Sequence, residues 1–159
     1  MRHRLRLLFL FAAFLGCKDD RGEDVVVKEG RELIQKTVEY FAKSRIQLAQ
    51  ANDRHQQLDL LKLVKDNTQV TLDLYTGIKL MAKKYPEASK KYADTPNLLG
   101  QQLGSDLRPL FATVNKLAAE IRAAMKTHPD RDKINIEYQQ LMLAWIKVLT
   151  VFGNELKGG

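Results

Sequence analysis

Two stretches in the second half of the chain restrict the fold most, because each places an apolar residue at every fourth or third position. This alternating spacing keeps the apolar side chains on one face of an α-helix. The first set comprises Leu103, Leu107, Leu110, Val114, Leu117 and Ile121, and the second comprises Ile134, Tyr138, Leu141, Trp145, Val148 and Phe152. Each set predicts an amphipathic helix whose apolar face is turned towards a core.

The first half of the chain shows the same period less regularly. Apolar residues between Leu33 and Ala49 recur at spacings of three to five, and those from Leu60 to Met81 also form a helical face. The segment "TQVTLDLYTG" within the second set alternates like a β-strand, but a single strand would have no partner. We therefore predict two more helices, the second bent or locally soft around Asn67, Thr68 and Thr71.

Helix ends are marked unevenly along the chain. Pro86 predicts the end of the second helix, Gly104 predicts an interruption, and Ser105 predicts the cap of the third helix. The first junction offers only Asn52 and Asp53 as break candidates. A continuous helix over 24–85 is therefore an alternative, and it would favour a dimeric coiled coil.

With a turn at Asn52 and Asp53, the helices are predicted at 24–51, 53–85, 105–127 and 130–156. A chain of 159 residues that is 45% hydrophobic can bury one core but is short for two domains. The sequence therefore predicts an all-α, up-down four-helix-bundle-like domain with one long connection between the second and third helices.

The opening segment has the three-part layout of a secretory signal peptide. Arg2, Arg4 and Arg6 precede nine uncharged residues, Leu7 to Leu15, and then the small residue Gly16. This apolar block is about half of the ~20 residues that a transmembrane helix needs. The layout thus predicts export, with cleavage close to the chain's only cysteine, Cys17.

The segment "FLGC" resembles the lipobox of bacterial lipoproteins, although Phe14 and Leu15 differ from the residues usual in that family. The resemblance covers residues 1–17 and implies lipidation of Cys17 after removal of the signal peptide, 1–16. Residues 17–24 would then form the lipidated cysteine and tether, and 25–157 the helical domain. A soluble export signal and an uncleaved anchor are the alternatives.

Recognisable catalytic motifs are missing from the sequence, which has no nucleophile elbow, zinc-protease motif, phosphate loop or dinucleotide-binding glycines. We therefore expect no enzyme activity and no cofactor. From residue 17 onward the chain carries 23 basic and 19 acidic residues, a net charge of +4. This moderate charge, without a recognisable binding module, predicts no nucleic-acid partner.

Two polar features could contact a ligand. The stretch "KKYPEASKKY" contains Lys-Lys-Tyr twice. Its lysines are candidates for contact with an anionic surface, namely Lys83, Lys84, Lys90 and Lys91. The alternative interpretation is that they form a solvated helix end. His55 and His128 are expected at one end of the bundle, where they could chelate a metal. They match no known ligand spacing, so no metal site is assigned.

Together these features predict a bacterial lipoprotein that acts as a binding or assembly accessory for an unidentified protein partner. The membrane would be reached through the lipid anchor. Lys18, rather than aspartate, follows the cysteine, which indicates the outer membrane facing the periplasm in hosts that use aspartate as a retention signal. A metal- or cofactor-carrying bundle and an inhibitor or immunity-type lipoprotein are the alternatives.

Overall fold

The computed structural model describes residues 24–54, 58–94 and 98–153, and all regular structure within them is α-helical. The predicted all-α class is therefore confirmed. The helices are α1 (Val25–Arg54), α2 (Leu60–Lys84), α3 (Pro86–Asp94), α4 (Leu98–Met125) and α5 (Arg131–Gly153). The four long helices form a bundle, and the short α3 lies in the predicted connection between α2 and α4.

Polar contacts between α1 and its neighbours give the directions of the helices. Ser44 bonds to Asn67, and Glu29 lies near the other end of α1 and bonds to Lys84, so α1 and α2 are antiparallel. The alternative of one continuous helix over 24–85 is therefore excluded. The chain turns later than predicted, because α1 continues to Arg54 and α2 begins after the capping residue Asp59.

The third long helix lies beside the first and runs parallel to it. Arg31 of α1 pairs with Asp106 of α4. Further along both helices in the same direction, Arg45 of α1 pairs with Glu120 of α4. The closest packing is between α1 and α4 and between α2 and α5, whereas α2 and α4 touch only slightly. The connection through α3 therefore crosses the bundle diagonally, between opposite corners.

The core lies along the axis of the bundle and contains every residue of the two regular stripes. Residues from Leu103 to Ile121 in the first stripe are at most 5% exposed, and Trp145 is the most exposed of the second at 8%. Phe41 of α1 and Leu74 of α2 face them from the other half of the bundle. Burial of these faces is the main favourable contribution to folding.

The third long helix begins earlier than the predicted cap at Ser105. It starts at Leu98, so Gly104 and Ser105 lie inside α4, and Pro109 lies in its interior. Leu99 is buried one turn before Leu103, and its burial outweighs the roughly 1 kcal/mol by which glycine disfavours a helix interior. The predicted interruption at Gly104 and cap at Ser105 were therefore wrong.

The predicted soft segment of α2 is a regular part of that helix. Asn67 and Thr71 are fully buried, yet Asn67 donates to Ser44 Oγ at 3.0 Å and to the Leu63 carbonyl at 2.7 Å. Thr71 Oγ1 donates to the Asn67 carbonyl at 2.8 Å. These polar groups are satisfied in the core, so they stabilise one register between α1 and α2. Within the described ranges, no helix is long and apolar enough to cross a bilayer.

Candidate functional site

The four candidate lysines lie at the end of the bundle where α1 begins, which we call the amino-terminal end. It comprises the start of α1, the end of α2 and the short helix α3. Lys83 and Lys84 end α2, and Lys90 and Lys91 belong to α3. The two Lys-Lys-Tyr copies therefore stand on either side of the chain reversal at Pro86.

The first copy binds a carboxylate of α1. Lys84 Nζ donates to both Glu29 oxygens at 2.9 and 2.8 Å, and the Tyr85 hydroxyl donates to Oε2 of the same group at 2.5 Å. The hydrogen bonds from Lys84 and then from Tyr85 are the main reason that the pKa of Glu29 is lowered. The last lysine and the tyrosine of this copy thus fasten the end of α2 to α1.

The second copy repeats this arrangement on the residue that precedes α1. Lys91 pairs with Asp24, and the Tyr92 hydroxyl donates to Asp24 Oδ2 at 2.6 Å. Burial opposes ionisation of Asp24, but its hydrogen bonds from Lys91, Tyr92 and the Val26 N–H outweigh that effect and lower its pKa. Burial and the bond to Asp24 raise the pKa of Tyr92 to about 12. We call this six-residue arrangement the lysine–tyrosine clamp; its members are Asp24, Glu29, Lys84, Tyr85, Lys91 and Tyr92.

The clamp divides the four candidate lysines into two kinds. Lys84 and Lys91 are held in ion pairs, so much of their charge is compensated. Lys83 and Lys90 are exposed, and in the part of the chain that the structure describes neither has an ion-pair partner. The predicted contact with an anionic surface remains a prediction, and Lys83 and Lys90 are its better candidates.

A small cavity of about 320 Å³ adjoins the second half of the clamp. It lies between α1, α3 and the start of α4, and Asp24, Arg31 and Lys91 contribute charged groups to its wall. Arg31 Nε donates to Asp106 Oδ2 at 3.1 Å. Asp24 thus pairs with Lys91, and Arg31 pairs with Asp106. Because the charged groups of the wall already have partners within the chain, we do not assign a ligand to this cavity.

A larger cleft of about 670 Å³ lies at the opposite end of the bundle. Its apolar wall is formed by leucines and alanines of α1, α2 and α4, namely Leu48, Ala49, Ala51, Leu58, Leu60, Ala123 and Ala124. The Arg45–Glu120 ion pair borders it on one side, and residues 127–130 border it on the other. The small alanine side chains leave this space open between the ends of α1 and α4.

His128 lies at this cleft, in the turn between α4 and α5. Its Nδ1 accepts a hydrogen bond from the Asp130 N–H at 3.1 Å, as expected of a residue that orders a tight turn. His55 lies outside the described residues. Among residues 24–54, 58–94 and 98–153, no three histidine, cysteine or acidic side chains form a group that could hold a metal.

A further feature, missed in the sequence analysis, is the outer face of α5. Ile136, Leu143 and Ile146 are 63%, 51% and 55% exposed, although they are large and apolar. The sequence does contain a sign of this face, because Lys147 is the only charged residue between Tyr138 and Gly153. Attention to the buried stripe alone concealed it. Cys17, the proposed lipidation site, lies outside the described residues.

Comparison of the chain with models of protein families, with curated proteins and with solved structures gave no match.

Proposed function

We propose that the protein is a lipid-anchored component of a bacterial cell envelope whose helical bundle binds a protein partner as an assembly accessory. The observation that carries this proposal is the clamp on Asp24, seven residues after Cys17. Seven extended residues span at most about 25 Å. A lipid on Cys17 would therefore hold the amino-terminal end of the bundle close to the bilayer.

The exposed lysines fit this arrangement. Lys83 and Lys90 lie at the same end as Asp24, so a short tether would bring both within reach of anionic headgroups. Each basic residue near such a surface contributes on the order of 1 kcal/mol, and this attraction decays over roughly 8 Å at physiological salt. The lysines would orient the bundle with its opposite end directed away from the membrane.

The anchor is tested by replacing Cys17 with serine in the native host. We expect the protein to leave the membrane fraction and to lose the mass of the lipid, while circular dichroism of the purified variant retains the helical spectrum. Unchanged fractionation together with an unchanged mature mass would refute lipid anchoring.

The orientation is tested separately on the Cys17→Ser protein with anionic and neutral vesicles. Changing Lys83 and Lys90 to glutamine should weaken binding to anionic vesicles at low salt. A control of equal charge is the pair Lys116→Gln and Lys126→Gln, which are exposed and lie away from the clamp. Equal binding by the two double variants would argue against orientation by Lys83 and Lys90.

The cleft at the opposite end favours a second candidate function, the carriage of a small apolar molecule. Its volume of about 670 Å³ falls in the range usual for ligand pockets, and leucine and alanine side chains form one part of its wall. Mass and absorbance spectra of protein purified from the native host would detect a bound compound. A compound displaced by Ala123→Leu, which would narrow the cleft, would favour this candidate.

A further inference from the structure

The exposed apolar residues of α5, which we call the stripe, lie on the side opposite its core face, with the exposed Gln139 and Gln140 in the turn between Ile136 and Leu143. At 100° per residue, Leu143 points directly away from the buried side, and Ile136 and Ile146 flank it within about 60°. The stripe from Ile136 to Ile146 is about 15 Å long, at 1.5 Å per residue. Leu143 and Ile146 are three positions apart and therefore neighbours on the helix surface, while Ile136 lies two turns before Leu143 on the same face.

The stripe continues into a shallow seam between α5 and α4. These two helices approach each other less closely than α2 and α5 or α1 and α4 do. Aromatic side chains fill the gap, where Phe111 meets Trp145 edge to face with ring centroids 5.7 Å apart. Met142 and Leu149 of α5 are only partly buried beside them. The seam therefore has an apolar floor next to the exposed stripe.

Basic residues border this surface on both sides. On α4 the helical wheel places Arg108 and Arg122 on the side facing α5, and both are exposed. Arg122 donates to the Tyr138 hydroxyl at 3.0 Å, a neutral partner. Lys147 lies on the other border. Within the described residues, none of these three cations has an ion-pair partner.

Three of the four acidic residues of α4 and α5 point elsewhere. Asp106 and Glu120 of α4 face α1, where they pair with arginines. Glu137 of α5 faces α2 and lies 3.8 Å from Lys65. Asp132 lies on the same side of α5 as the stripe, one turn before Ile136, and its Oδ1 is 3.6 Å from Arg131 Nε. The α4–α5 surface thus combines apolar side chains with positive charge that no neighbouring acid of the described chain neutralises.

From this combination we infer that the α4–α5 surface binds an amphipathic helix of a partner protein, with an apolar face and acidic borders. Apolar residues of that helix would cover Leu143 and Ile146, and its carboxylates would meet Arg108, Arg122 and Lys147. A groove between two helices binds helical ligands in this way. The inference deepens the proposed binding function and depends on it only in requiring a protein partner.

Two other occupants fit the surface less well. A second copy of the chain would bring the same unpaired cations together across a two-fold axis, which is unfavourable. A membrane surface would suit basic and apolar residues, but helices that lie in the interface usually expose aromatic side chains. The aromatic residue of α5 nearest the stripe, Trp145, is 8% exposed.

The inference is tested by selection from a displayed library of 18-residue helix-forming peptides with all surface positions randomised. The target is the full chain, purified from the native host in detergent micelles in whatever lipidation state it carries there. We expect the selected peptides to carry apolar residues at i, i+3 or i+4 and i+7, with glutamate or aspartate beside them. Leu143→Ser should weaken their binding at least about tenfold, as for the centre of an interface.

Two matched controls separate this surface from general effects. Ile46→Ser removes an equally exposed apolar residue from α1, far from the α4–α5 seam, and should leave binding unchanged. Lys147→Glu should weaken the binding of acidic peptides. Lys116→Glu, on the other side of α4, should weaken their binding less. Added salt should weaken binding, because the charges lie at the rim of the interface.

The remaining outcomes decide against the inference. It is overturned if no peptide is enriched, if the enriched peptides lack acidic residues, or if Leu143→Ser and Ile46→Ser behave alike. Dimerisation in sedimentation equilibrium that Leu143→Ser abolishes would identify a second copy as the occupant. Binding of the Cys17→Ser chain to anionic vesicles that Leu143→Ser abolishes would identify a membrane. None of these results depends on whether Cys17 is lipidated, so they are distinguishable from failure of the anchor.

Discussion

The helices α1 and α5 occupy opposite corners of the same bundle, yet their outer faces are of different kinds. Both bury an apolar stripe, represented by Phe41 in α1 and Val148 in α5, and both pack between α2 and α4. The outer face of α1 is charged at nearly every turn, with exposed Lys28, Glu32, Lys36, Glu39 and Lys43. The outer face of α5 instead exposes isoleucine and leucine.

This difference separates what the fold requires from what it leaves open. The buried stripes are required, because each long helix must cover the core. The outer faces make no core contact, so folding does not demand isoleucine at position 136 or leucine at 143. A single exposed apolar residue such as Ile46 is ordinary, whereas Ile136, Leu143 and Ile146 share one face of α5, and the proposed binding role rests on this difference.

The largest expected effect tests whether the inner faces are equivalent. Trp145→Ala should reduce the free energy of unfolding by roughly 3–5 kcal/mol, because it removes a large aromatic side chain from a packed interior. Phe41→Ala on α1 should cost about as much for the same reason. Chemical denaturation of the purified variants measures both values. A loss below about 1 kcal/mol for Trp145→Ala would mean that α5 does not pack as described.

A smaller effect should distinguish how the two helices are fastened at their polar contacts. The clamp holds α1, and Asp24→Asn should lower the free energy of unfolding by roughly 1 kcal/mol near neutral pH. Hydrogen bonds to charged groups usually contribute more than this. The contribution is smaller here because the Lys91 partner is exposed to solvent. Glu137→Gln in α5 should cost less, because its contact with Lys65 is 3.8 Å long.

The pH dependence of the Asp24 contribution follows from the direction of its shift. Folding lowers the pKa of Asp24 below its ordinary value of 3.8, so the carboxylate stabilises the protein above that pH. The stabilisation is lost as the pH falls through the lower value of the folded state. The stability difference between wild type and Asp24→Asn should therefore be constant near neutrality and shrink in acid. A difference that persists undiminished at pH 2 would assign it to packing.

The limits of sequence-based prediction for the fold are visible at the start of α4. The regular stripe from Leu103 onward predicted the helix, but Gly104 and Ser105 are local stop signals that burial of Leu99 outweighs. The diagonal connection was also beyond reach, because a stripe shows that a helix faces a core without showing which helix is its neighbour. Directions of the helices followed from their similar lengths and short turns.

The candidate sites show the same division between local and distant information. The repeated Lys-Lys-Tyr was evident in the sequence, but its partners Asp24 and Glu29 lie 68 and 56 residues away from the tyrosines they bind. Their pairing depends on the fold. The outer stripe of α5 was, by contrast, readable in advance from the scarcity of charge after Tyr138.

The smallest expected effect is the most direct test of the outer faces. Leu143→Ser on α5 and Ile46→Ser on α1 should each change the free energy of unfolding by no more than about 0.5 kcal/mol, because both side chains are more than half exposed. Serine has about the helix propensity of isoleucine and a slightly lower one than leucine, so Leu143→Ser should lose a few tenths of a kcal/mol more from propensity alone. Denaturant melts of the two variants, recorded together with wild type, give the comparison.

Near-equal small losses would mean that Leu143 contributes no more to folding than an ordinary surface residue, as a side chain reserved for a partner should. A loss above about 1.5 kcal/mol for Leu143→Ser alone would place this side chain in a packed environment, since buried leucine truncations cost 2–5 kcal/mol. The stripe would then be covered by the protein itself, and the difference between α1 and α5 would be one of packing. Binding of an acidic helix to this face would have to be abandoned.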